Sequence, residues 1–191
     1  MDEGSLFFEG QGRVHQALRK ITKRLAALGI EYAVVGGMAL VHHGYRRFTD
    51  DIDILVTVED LQRLHREVDG LGYLPPFSGS KHLRDTDLGV KIEFLTTGDF
   101  PGDGKPKPVA FPNPSLVAEE DDGIRYVTLP ALLTLKLASG MTNAGRLKDL
   151  ADVQELVKLR QLPRKFADQL PEYVQSKYLE IWDTTISAER P

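Results

Sequence analysis

The chain is expected to be an α/β protein of the α+β kind. A small mixed sheet flanked by helices is predicted over residues 12–128, with a C-terminal helical part over 129–191 packed on it. Two observations predict this. Up to about residue 128, stretches with apolar residues at helical spacing are interleaved with short apolar runs bounded by glycines. After Pro130 the pattern is wholly helical. With 41% hydrophobic and 27% charged residues in 191, the composition is that of an ordinary globular chain.

The elements follow in order. Val14, Ala17, Leu18, Ile21, Leu25 and Leu28 form one apolar stripe of a helix, and Gly29 closes it. "IEYAVVGG" reads as a short buried strand, "GMALVHHG" as a short helix and "DIDILVTV" as a second strand. Leu61, Leu64, Val68 and Leu71 mark a helix ended near Gly70 and Gly72, and "DLGVKIEFLT" alternates like a third strand. Residues 96–115 carry five prolines and three glycines and are expected to be irregular. After "IRYVTL", Pro130 suits a first helical turn. A longer helix is predicted over 144–160 with Leu147, Leu150, Val153 and Val157 on one face, and a last one over "EYVQSKYLEIWDTT".

Composition excludes several classes. With no cysteine there is neither a disulfide framework nor a thiolate metal site, which suits a reducing cytoplasm. No apolar run is long enough to span a membrane, and the acidic start lacks the basic region of a secretory signal. A net charge of −4 leaves no overall nucleic-acid footprint.

Acidic residues are poor strand formers, yet Asp51 and Asp53 interrupt an apolar strand. Alternation points both to one face, about 7 Å apart along the backbone. Two such carboxylates repel unless a cation sits between them, and a hard divalent ion such as Mg²⁺ (or Mn²⁺) suits oxygen ligands. In "VKIEFL" the same alternation puts Lys91, Glu93 and Leu95 on one face, so Glu93 is the candidate third acid. Asp85 and Asp87 are rivals in the preceding turn. Three carboxylates can hold two ions that activate an oxygen nucleophile and steady a departing pyrophosphate. Gly36 and Gly37, at the strand-to-helix junction, would let a phosphate approach the backbone. "GDGKP" at 102–106 only faintly looks like a phosphate loop; its spacing and its proline are wrong.

Gly36-Gly37, thirteen residues, then Asp51-Ile52-Asp53-Ile54 resembles the signature of the DNA polymerase beta-type nucleotidyltransferase superfamily. "RFTDDID" is similar to the arginine–x–threonine–x–aspartate–x–aspartate form of its small bacterial members. "LKLASGMTNAGRLKDLADVQEL" resembles the rear block of the toxin-type, AbiEii-like branch. The resemblance spans about residues 30–160. It implies a nucleotidyltransferase-type sheet and transfer of a nucleoside monophosphate from an NTP to an acceptor hydroxyl, with pyrophosphate released. By position, Asp51, Asp53 and Glu93 would be the catalytic, metal-binding acids. Gly36, Gly37, Arg47, Thr49, Lys136, Arg146, Lys148 and Asp152 would serve the nucleotide, with Asp149 close by. Many members carry serine where Gly37 stands and aspartate as the third acid.

The toxin-type likeness implies an RNA or tRNA acceptor and an antitoxin partner. Arg46, Arg47, Lys158, Arg160, Arg164 and Lys165 would then meet the acceptor backbone. The alternatives are a small hydroxylated acceptor, aminoglycoside-like, and a catalytically decayed regulator that still binds nucleotide. Of the remaining residues, Asp50 is read as a turn or cap residue. Arg47 and Thr49 are read as strand braces or phosphate contacts. Lys105 and Lys107 are read as solubility charges or as residues that track a polyanion. His42 and His43, adjacent on a helix, are not expected to share a metal.

Overall fold

The computed structural model describes residues 2–188, so the helical part expected over 129–191 is followed to 188; Met1 and 189–191 lie outside the described residues. In chain order the elements are α1 (Glu3–Phe8), α2 (Arg13–Ala27), β1 (Ala33–Val35), α3 (Gly36–His42), β2 (Asp51–Val56) and α4 (Val58–Val68). There follow β3 (Tyr73–Leu74), β4 (Leu83–Asp85), β5 (Lys91–Thr96), α5 (Pro114–Val117), β6 (Ala118–Asp121) and β7 (Ile124–Val127). The last part holds α6 (Leu129–Thr142), α7 (Leu147–Leu159) and α8 (Glu172–Ala188), with 3-10 turns at Ala144–Arg146 and Arg164–Gln169.

The strands form one mixed sheet in the order β3-β4-β5-β2-β1-β7-β6. β2 runs antiparallel to β1 and parallel to β5, so Asp53 stands between Val35 on one side and Glu93 on the other. Strand alternation then divides the core. Ile52, Ile54 and Val56 of β2 pack with Ile92 and Phe94 against Leu18, Ile21 and Leu25 of α2 and Leu64 of α4. On the opposite face Val35 and Leu55 pack against Leu133 and Leu137 of α6, Val153 of α7 and Tyr178 of α8. Asp51 and Asp53 share parity with Leu55, so they lie on the face that the C-terminal helices cover.

Several local expectations are corrected. α1, β3, β4 and β6 were not anticipated. The predicted helix over 144–160 begins as a 3-10 turn, which changes the phase of its first residues; Leu147 is 64% exposed, and the buried stripe is Val153, Leu156 and Val157. Lys107 is no solubility charge. Its side chain is buried and its ammonium bonds the Pro101 carbonyl and the Asp103 carboxylate, tying residues 101–107 together. Asp85 is buried and is the turn residue of the β4–β5 hairpin: one oxygen accepts from the Asp87 and Leu88 N–H groups and the other meets Lys20 at 3.0 Å. No helix of the described residues is long and apolar enough to cross a membrane.

Candidate functional site

The two halves of the glycine–aspartate signature fit into each other. Gly36 ends β1 and opens α3 with φ +59°, a conformation side-chain-bearing residues rarely adopt. The space its Cβ would take is filled by the Asp53 carboxylate. A Cβ on Gly37 would lie 2.7 Å from the Thr49 hydroxyl and 2.7 Å from the Thr49 Cβ. Thr49 thus fills the space that a side chain at position 37 would take. Thr49 is buried and donates to Asp51 Oδ1 at 2.6 Å, which fixes that carboxylate and leaves its other oxygen without a hydrogen bond among the described residues.

These residues line a cleft of about 300 Å³. One wall is the acidic strand face, Asp51, Asp53 and Glu93, with Gly36 and Gly37 beside it. The other is α6 and the start of α7, with Lys136, Ser139, Arg146, Lys148 and Asp149. Pro101, Gly102 and Phe111 of the proline-rich segment close the rim. Burial, then the Asp51 and Glu93 carboxylates, push Asp53 up to about 7, against the opposing pull of Lys136 and Arg146. Glu93 is ion-paired to Lys91 on the same strand face. Three carboxylates on neighbouring strands, one of them reluctant to ionise without a cation, are a donor set that fits a hard divalent metal.

Of the sequence-predicted residues, all but Asp152 line the cleft. Asp152 lies buried behind it. It accepts from Arg47 at 2.9 Å and from Lys136 at 2.7 Å, and Lys136 also donates to Asp149 at 2.9 Å. Ser139, which the sequence reading did not single out, donates to the second Asp149 oxygen at 2.7 Å. Burial would raise Asp149, but the Lys136 ammonium and the Ser139 hydroxyl outweigh it and hold the carboxyl below its usual range. Arg47, Lys136, Asp149 and Asp152 therefore form a charge-balanced brace between the segment before β2 and the α6–α7 pair. Arg146 and Lys148 differ: both are exposed, and neither makes an ion pair or side-chain hydrogen bond among the described residues.

Of the six cations expected to meet a polyanion, Arg160 and Lys165 are exposed and the other four make contacts within the chain. Arg47 points into the brace, Arg164 pairs with Asp183, Lys158 with Glu155, and Arg46 donates to the Phe8 carbonyl. His42 and His43, not expected to share a metal, do bring ligand atoms within 4.8 Å of one another and of Glu119. They are at the far end of α3 and line no part of the cleft. His43 is buried with Nε2 2.8 Å from the Val127 carbonyl, and His42 stacks on Tyr126. The arrangement fastens the end of α3 to β6 and β7.

No protein-family model and no curated protein matches the chain. Solved structures do. A Helicobacter pylori protein described as a nucleotidyltransferase matches over 99% of this chain and 84% of its own, with a TM-score of 0.50 at 18% identity. A Thermotoga maritima protein with the same description matches over 76% and 89%, with a TM-score of 0.45 at 20% identity. ANT(2″)-Ia, solved with adenylyl-2″-tobramycin, matches over 92% and 98%, with a TM-score of 0.45 at 13% identity. The Helicobacter match, over nearly the whole chain, shows that the fold is of the nucleotidyltransferase type.

Proposed function

We propose that the chain is a metal-dependent nucleotidyltransferase. The observation that carries this is the charge layout of one cleft. Three carboxylates on adjoining strands face Arg146 and Lys148, two exposed cations with no ion pair among the described residues. A metal–triphosphate complex satisfies both walls at once. Asp51, Asp53 and Glu93 would hold Mg²⁺ or Mn²⁺, which supplies charge neutralisation at the reacting phosphate and lowers the pKa of a bound hydroxyl. Arg146 and Lys148 would take the β- and γ-phosphates, where negative charge gathers as pyrophosphate departs. Thr49 and Gly36 act on the acids: the threonine orients Asp51 and the missing Cβ admits Asp53.

The acceptor oxygen attacks the α-phosphorus, the bond to the β-phosphate breaks, and pyrophosphate leaves with its electron pair. The acceptor proton passes to Glu93, whose carboxylate is ion-paired to Lys91, and from there to solvent. The brace of Arg47, Lys136, Asp149 and Asp152 sets the distance between the walls. The toxin-type branch and an antitoxin partner rest on the Lys136-to-Asp152 block of the sequence, and cytoplasmic residence on its lack of cysteine.

The test is pyrophosphate release and transfer of label from each α-labelled NTP with Mg²⁺ or Mn²⁺. Wild type transfers label, and Asp51→Ala and Asp53→Ala do not. Equal labelling by the variants sinks the assignment. Tight nucleotide binding with no turnover by wild type would favour the regulator reading.

A further inference from the structure

Strand register assembles a block of four charged residues on one face of the sheet. In the parallel pairing of β2 and β5, Lys91 stands beside Asp51 and Glu93 beside Asp53. Neighbours across the strands are about 5 Å apart, and same-face neighbours along them about 7 Å. Lys91 is therefore a fourth member of the acidic wall, and its ammonium pairs with Glu93. Among the described residues it is the one cation ion-paired to any of the three acids. It stands apart from the cations of the opposite wall. Arg146 and Lys148 line the cleft assigned to the nucleotide, whereas Lys91 lines a neighbouring cleft with Asp51 and Arg84.

An ammonium in this place acts oppositely on two ligands. Three carboxylates on adjoining strands repel one another, and Lys91 offsets part of that repulsion. A bare divalent cation has to share Glu93 with the ammonium and bears its repulsion at close range. A divalent cation already bound to a triphosphate arrives in a complex of net negative charge, which the same ammonium attracts as a whole. Lys91 thus disfavours the first ligand and not the second. The next cation in the row is Arg84, opposite Lys91 in the pairing of β4 and β5. It is exposed, and its guanidinium bonds the Gly89 carbonyl at 3.0 Å. Arg84 therefore contributes only the screened field of a surface charge. The two positions separate direct competition for Glu93 from the general field.

Resting on the reading of Asp51, Asp53 and Glu93 as metal ligands for nucleotidyl transfer, we propose that Lys91 selects the metal–nucleotide complex over the bare metal. By competing for Glu93 it keeps the site from filling until the ion arrives with a triphosphate. The test measures two affinities on the full chain. One probe is Mn²⁺ alone, with the free ion followed by electron paramagnetic resonance. The other is an α,β-methylene NTP analogue with Mn²⁺, followed by calorimetry. Lys91→Met and Lys91→Gln each bind bare Mn²⁺ about 10-fold more tightly than wild type, and the Mn²⁺–analogue complex no more tightly. Lys91→Arg keeps the charge and binds both as wild type does. Arg84→Met shifts bare Mn²⁺ by less than about 3-fold. Loss of a merely structural lysine would loosen both ligands. The Lys91 side chain is 44% exposed, so its replacement opens no core cavity, and melting curves check that the variants fold. The proposal is overturned if Lys91→Met leaves the bare-ion affinity unchanged or weaker, or if it tightens both ligands alike. It is overturned equally if Arg84→Met tightens bare Mn²⁺ as much, or if neither wild type nor Lys91→Met binds the ion. Should the affinities rank as expected while wild type transfers no label, the transfer reaction is struck and the role of Lys91 in metal binding stands.

Discussion

Gly36 and Asp53 are a matched pair: one lacks a side chain where the other needs room. Gly36→Ala places a methyl group in the Asp53 carboxylate and forces a positive φ that alone costs about 1–2 kcal/mol. Metal-dependent transfer should fall by about 100-fold or more, with a lowered melting temperature; unchanged kinetics would show that Asp53 need not sit there. Asp53 also sets a pH dependence. Its folded pKa is about 7 against an ordinary 3.8, so across that interval the metal-free folded protein holds the proton more firmly than the unfolded chain. Metal-free stability therefore falls as pH rises through the interval, and divalent-ion affinity climbs until about pH 7. Asp53→Asn should raise the metal-free melting temperature above pH 7 while abolishing the metal's stabilising effect. A melting temperature that does not change with pH between 4 and 8, metal-free, would contradict this.

At the scale of elements, α6 and α7 are joined by the Lys136 ammonium between Asp149 and Asp152. Lys136→Met leaves two buried carboxylates with Arg47 as their one remaining ion-pair partner among the described residues, and unfolding in urea should show a loss of about 3–5 kcal/mol. A loss below about 1 kcal/mol would mean that solvent reaches the pair and the brace is not structural. This network was only half legible in the sequence. Lys136, Asp149 and Asp152 were visible as charges near a family block, but their pairing depends on the angle at which two helices meet. Ser139 gave no signal. The acids of β2 and β5 were legible because strand alternation is local and Asp51, Asp53 and Glu93 keep its parity. β6 was not: "AEED" has poor strand propensity and pairs only at an edge. The fit of Thr49 against Gly37 joins residues twelve apart in the chain and is fixed only once α3 and β2 are packed.

For the whole molecule, one sheet carries a dry core on one face and, on the other, a second core that stops short at the ends of β2 and β5. The cleft is where that covering ends, and it holds opposite charges on opposite walls despite a net charge of only −4. Arg146→Ala and Lys148→Ala should each weaken NTP about 10-fold with no change in melting temperature, since both side chains are exposed and unpaired. Unaltered affinity in both would detach the triphosphate from this wall. The most direct test is a calorimetric titration of Mg²⁺–NTP into wild type, Asp53→Asn and Glu93→Gln. Binding by wild type should disappear when Mg²⁺ is chelated and weaken at least about 100-fold in both variants. Binding of equal strength without the metal, or in the variants, would contradict it.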